Sequence, residues 1–115
     1  MRVIVHIVED DEAVADALAT ALEGNDRQSV TYRDGETFLA EAVTSPDDWV
    51  IVDIGLPGKN GADVVRDLMS RDNPPSVVAI SGKPRVKLMR QLKEMPNLTV
   101  LRKPLSIDML MAALS

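Results

Sequence analysis

"VIVDIGLPGKNG", residues 50–61, runs from an unbroken apolar segment into one acid and then into a loop. Val50, Ile51 and Val52 are β-branched and consecutive, the mark of a strand buried on both faces rather than one with a wet side. Asp53 closes the strand. A lone carboxylate in that place is costly unless a charged or donating partner meets it. Beyond it, Gly55, Pro57, Gly58 and the Asn60-Gly61 pair exclude regular structure.

The same pattern recurs outward in both directions. "VIVHIV" (3–8) and "SVVAIS" (76–81) read as strong strands, "QSVTY" (28–32) and "LTVL" (98–101) as weaker ones. Between them the apolar spacing becomes helical. "EAVADALATALEG" (12–24) would turn Val14, Ala17, Leu18, Ala21 and Leu22 inward, with Gly24 as its C-cap. "DGETFLAEAV" (34–43) opens on Asp34 as an N-cap and carries Phe38, Leu39 and Ala42 on one face. "GADVVRDLMSR" (61–71) buries Val64, Val65 and Leu68. "KPRVKLMRQLKEM" (83–95) reads as a basic helix, and "SIDMLMAAL" (106–114) as a last one capped by Ser106. "TSPDD" (44–48) and "DNPP" (72–75) punctuate. Five strands alternating with five helices predict an α/β protein: a parallel sheet with helices on both faces. With no repeat or linker, residues 1–115 are expected to form one domain.

The composition narrows the function classes. Hydrophobic residues make up 45% and charged residues 27% of the 115, ordinary values for a globular protein. There is no cysteine, and His6 is the only histidine, so disulfides, thiolate sites and His-rich zinc sites are excluded. No apolar run approaches the ~20 residues of a membrane span. The amino-terminal apolar segment is too short for a signal peptide, so no membrane partner and a cytoplasmic location are expected. A net charge of -5 argues against nucleic-acid binding by this domain. It suits either a domain that holds a cation or an ordinary acidic surface.

In such folds ligands bind at the carboxyl ends of the strands. Those ends carry Glu9, Asp10 and Asp11 after the first strand, Asp53 after the third, Ser81 at the fourth, and Lys103 with Pro104 after the fifth. Each has an ordinary explanation. Asp11 caps the first helix; Glu9 and Asp10 could form a solvated turn. Ser81 could bond to backbone, Lys103 could be a surface charge, and Pro104 could start a helix. His6 reads as a strand residue packed under a helix. The conjunction says more. Two carboxylates about 4 Å apart repel by roughly 4 kcal/mol at an effective dielectric near 20. Three in one pocket take up protons or recruit a cation, and an all-oxygen donor set favours Mg²⁺. Lys103 balances charge on the other side, which answers how Asp53 is tolerated. A carboxylate beside Mg²⁺ and Lys can attack phosphorus to give an aspartyl phosphate.

Taken together, "VEDD" (8–11), "VDIGLPGKNG" (52–61), "AISG" (79–82) and "LRKPLS" (101–106) resemble the receiver domain of two-component response regulators, in order along the whole chain. The resemblance implies a flavodoxin-like doubly wound sheet of five parallel strands in the order 2-1-3-4-5 with five helices. It implies Asp53 as phosphoacceptor, charged from a phosphohistidine on a sensor histidine kinase or histidine phosphotransfer protein. Glu9, Asp10, Asp53 and the Gly55 backbone carbonyl would hold Mg²⁺, with Asp10 the more direct ligand. Ser81 and Lys103 would meet the phosphoryl group, and the Lys103-Pro104 bond would be cis. The domain would share in catalysing its own phosphorylation and dephosphorylation without being an enzyme in purpose, and a homodimer on phosphorylation is a further partner. "LPGKNG" resembles the loop of regulators joined to helix-turn-helix output domains.

The sequence departs from the family pattern in three places. Val100 stands where an aromatic is usual, Leu105 replaces a frequent Phe, and "EMPNLTV" (94–100) lacks a common Gly-Ala pair. Without a ring at Val100, the expected switch is a displacement of backbone and helix from Gly82 through Arg90, reaching Lys103 and Leu105. Three other readings compete. A phosphatase with an aspartyl intermediate would want a second acid two positions after Asp53, where Gly55 stands. A flavodoxin-like cofactor binder would want a Gly/Ser/Thr-rich loop where "EDDEA" (9–13) stands. A receiver-like adaptor acting by binding alone is the alternative that Val100 leaves open.

Overall fold

Strand β1 (Ile4–Val8) begins the described chain and is followed by helix α1 (Glu12–Glu23), β2 (Gln28–Tyr32), α2 (Gly35–Glu41), β3 (Trp49–Asp53), α3 (Gly61–Met69), β4 (Ser76–Ser81), β5 (Thr99–Arg102) and α4 (Ile107–Ala113). The computed structural model describes residues 3–56, 58, 60–82, 90, 92, 93, 95 and 97–115. Four helices thus stand among the described residues where five are expected. The basic segment 83–95 falls largely outside them.

All strand pairs are parallel, in the order β2-β1-β3-β4-β5. The unbroken apolar runs are explained by burial on both faces. Val5 and Ile7 of β1, Ile51 of β3, and Val78 and Ile80 of β4 pack with Leu18 and Leu22 of α1 and Leu110 and Leu114 at α4. Val8, Val50 and Val52 point the other way, onto Phe38 of α2 and Val64, Val65 and Leu68 of α3.

The helix starts follow local chemistry. Asp11, Asp34, Asn60 and Ser106 each accept a backbone N–H of the first turn that the helix leaves unpaired. The face of α1 differs from the expectation. Ala15, Leu18 and Leu22 are buried while Ala17 is exposed. The two leucines set the orientation because they reach the sheet; the small Ala17 is left facing a groove of about 960 Å³ between α1 and α4. Gly24 does cap α1, but in a right-handed conformation, and the positive φ of 59° falls at Asp26. Strand β5 begins one residue later than read, because the Leu98 N–H is still engaged in a turn with the Met95 carbonyl.

Candidate functional site

Glu9 follows β1 directly. Its N–H donates to the Tyr32 carbonyl at 3.0 Å, extending the β1–β2 ladder by one bond. The chain then turns: Glu9 Oε1 accepts the Asp11 N–H at 3.1 Å, and Asp11 Oδ1 accepts from Ala13 and Val14 at the start of α1. This tight turn leaves Asp10 exposed and drives Glu9 inward, to 2% exposure. Glu9 is therefore no solvated turn residue. Asp53 ends β3 opposite Ile80 of β4 and is also buried. The Gly55 N–H donates to its Oδ1 at 2.8 Å, and Lys103 Nζ donates to its Oδ2 at 2.9 Å.

Lys103 arrives from just beyond β5, where its N–H donates to the Ser81 carbonyl at 2.9 Å. Its ammonium is also 3.1 Å from Glu9 Oε2, and the Lys103-Pro104 bond is cis. One cation thus bridges two buried carboxylates. Burial alone would lower the lysine's pKa, but the two carboxylates outweigh it and hold the ammonium above its usual range. Glu9 is raised too, which for a carboxylate disfavours the charged form: burial, reinforced by the neighbouring Asp53 charge and opposed by the Asp11 N–H and Lys103, pushes it up to about 7.

Carboxylate oxygens of Glu9, Asp10 and Asp53 all lie within 4.8 Å of one another. Glu9 Oε2 is buried and, among the described residues, is met by no hydrogen-bond donor beyond the Lys103 ammonium. A buried carboxylate oxygen with unused lone pairs, in an all-oxygen set, fits a hard divalent ion. Of the other candidates, Ser81 is fully buried at the end of β4 and Gly82 follows it beside the Lys103 stem. Gly55 and Pro104 are both exposed. Val100 stands apart, half-buried against Ile54, Ala62, Ala79 and Leu92.

His6 is packed as expected, with Phe38 edge-on and Tyr32 stacked, each ring centre 6.0 Å away. The sequence reading missed its partner. His6 Nε2 lies 3.0 Å from Asp48 Oδ2, both residues buried, at the amino end of the sheet and away from the carboxylate cluster. The only signal was an acid placed immediately before an apolar strand, which "TSPDD" also explains as a turn.

The comparisons agree with this geometry. The family model for the response regulator receiver domain matches residues 5–115. Sensory transduction protein RegX3 of Mycolicibacterium smegmatis is 39% identical over 72 residues, 63% of this chain and 32% of that protein. Transcriptional regulatory protein FixJ of Azorhizobium caulinodans is 26% identical over 109 residues, 95% of this chain and 52% of that protein. The chain therefore spans about a third to a half of these relatives. The solved structure of Vibrio cholerae chemotaxis protein CheY4 superposes with a TM-score of 0.84 over 99% of this chain and 97% of that one, at 20% identity, a likeness of fold. With a parallel sheet in the order 2-1-3-4-5, acids and a lysine meeting at its carboxyl edge, and a family match from residue 5 to the last, the chain belongs to the response regulator receiver domain family.

Proposed function

We propose that this domain accepts a phosphoryl group on Asp53 from the phosphohistidine of a sensor kinase or phosphotransfer protein, and that Mg²⁺ held by Glu9, Asp10, Asp53 and the Gly55 carbonyl assists. The observation that carries this is the Lys103 ammonium at 2.9 Å from Asp53 and 3.1 Å from Glu9, within a cluster of three carboxylates. Both Asp53 oxygens are already fixed, one by the Gly55 N–H and one by Lys103, so the carboxylate is held in one plane for attack. In the transfer, an Asp53 oxygen forms the new P–O bond as the P–N bond breaks, and the imidazole leaves. Mg²⁺ held by those groups would neutralise charge on the phosphoryl oxygens. Lys103, freed from Glu9, pairs with the added charge, and the buried Ser81 hydroxyl donates to a phosphoryl oxygen.

Acetyl phosphate with Mg²⁺ tests this. Wild type should take up one phosphoryl group that is lost in acid and in base, as an acyl phosphate is, and Asp53→Asn none. Undiminished labelling of Asp53→Asn would overturn the assignment. The output the domain serves is set by whatever partner reads the face around Gly82, Val100 and Lys103. One relative's name, a transcriptional regulatory protein, favours control of gene expression.

A further inference from the structure

We infer that Gly61 is a positioning residue for the carboxylate site, acting through the backbone of Asp53 and Ile54. This rests on the phosphoacceptor reading above. Gly61 is the first residue of α3 and is buried. A Cβ placed on it would overlap the Asp53 carbonyl oxygen, and would lie 2.7 Å from Ile54 Cα and 2.8 Å from the Asp53 carbonyl carbon. These are backbone atoms, so no side chain can swing aside. The start of α3 therefore rests directly on the peptide that follows the phosphoacceptor.

That peptide is gripped on its other sides as well. The Ile54 N–H donates to the Ile80 carbonyl at 2.9 Å, the last bond of the β3–β4 ladder. The Ile54 side chain is fully buried against Ala62, Ala79 and Leu92. The next N–H, that of Gly55, donates to Asp53 Oδ1. Gly61 supplies the remaining wall. With β4 and the Ile54 side chain fixed, any side chain at residue 61 must push the Asp53–Gly55 backbone toward the carboxylate site. The Gly55 N–H would turn away from Asp53 Oδ1, and the Gly55 carbonyl would leave the position proposed for a metal ligand. Neither Gly24 nor Gly82 is so placed: a Cβ there meets nothing nearer than 3.5 Å and 3.9 Å.

The test compares Gly61→Ala with Leu22→Ala, a core truncation at the far end of α1. Mg²⁺ affinity is read from amide shifts in a titration, and phosphorylation from acetyl phosphate labelling. Gly61→Ala should weaken Mg²⁺ binding about tenfold and slow labelling roughly a hundredfold, the scale of a 1 Å misplacement. Leu22→Ala, though less stable, should keep Mg²⁺ affinity within about twofold, since distant sites act independently. A folded Gly61→Ala with wild-type affinity, or a Leu22→Ala that loses as much, overturns the inference.

Should Gly61→Ala not fold, a gentler pair decides. Asn60→Ala removes the cap on Asp63 N–H and loosens the start of α3 without adding atoms. Ser106→Ala removes the equivalent cap of α4. Weaker Mg²⁺ binding in Asn60→Ala alone supports the inference; equal binding in the two overturns it. Failure of the underlying reading looks different, because the wild type itself would then neither bind Mg²⁺ nor be labelled.

Discussion

Asp48 ties together three strands and the loop before one of them. Its carboxylate accepts the Ile4 N–H at 3.1 Å, the Ser45 N–H at 3.1 Å and the His6 ring at 3.0 Å, and its carbonyl accepts the Ser76 N–H. Burial alone would raise its pKa, but these donors hold it below the usual carboxylate range. Truncating one member of a buried pair leaves the other unpaired, so Asp48→Ala should cost about 3 kcal/mol in a urea titration. Its contribution is complete above the unfolded value of 3.8 and is lost as pH falls through the lower folded value. Glu9 has the opposite sign. Its folded value near 7 exceeds the unfolded 4.5, so its contribution is present below 4.5 and is lost as pH rises through 7. Between those limits the metal-free protein should become less stable with rising pH, and Glu9→Gln should flatten that slope. Mg²⁺ must displace the Glu9 proton, so its affinity should rise with pH and level off above about 7. An Mg²⁺ affinity independent of pH from 5.5 to 8 would contradict the ligand role. Lys103→Ala should leave Mg²⁺ binding intact or tighter, since the ammonium opposes a cation, while weakening the response to phosphorylation.

At the scale of elements, the helices divide the work. Helix α1 and α4 seal one face of the sheet through Leu18, Leu22, Leu110 and Leu114; α2 and α3 seal the other. Leu22→Ala should lower stability by about 3 kcal/mol by leaving a cavity, measured as a lower denaturation midpoint at unchanged slope. Most of this architecture was legible in the sequence because it is written locally. Three strong β-branched runs and three apolar helical stripes announce themselves over fewer than a dozen residues each, and Asp34 and Ser106 mark helix starts on their own. Two kinds of feature were not. Which way α1 turns depends on how far leucines reach beyond alanines, so Ala17 was misplaced. Contacts between distant residues leave no local trace: Asp48 reads as a turn until His6 is beside it, and Gly61 as a loop glycine until the Asp53 backbone is under it. The carboxylate cluster was readable only because all its members sit at strand ends, which a parallel sheet gathers along one edge.

For the molecule as a whole, a cation bound to the native state alone should stabilise it by mass action, by about 2.7 kcal/mol at a hundredfold excess over the dissociation constant. Asp10→Ala should raise the stability of the metal-free protein and abolish that increment; an equal Mg²⁺-dependent rise in melting temperature in both would contradict it. Beryllofluoride with Mg²⁺ should shift the amides of Gly82, Lys103 and Leu105 more than those of Ala13 to Glu23. The reverse pattern would place the response on another face. The Asp48 knot bears on how such a response spreads. It ties the amino ends of β1, β3 and β4 together with hydrogen bonds, three of them to one buried carboxylate, while the opposite ends of the strands finish in charged loops. In mechanical terms the sheet is a cantilever, clamped at one end and free at the other, where the load is applied. Amide exchange should accordingly be slowest near Val5 and Val50 and quicken toward Glu9, Gly55 and Gly82. A chemical event at the free end would then bend the loops and leave the clamp at rest.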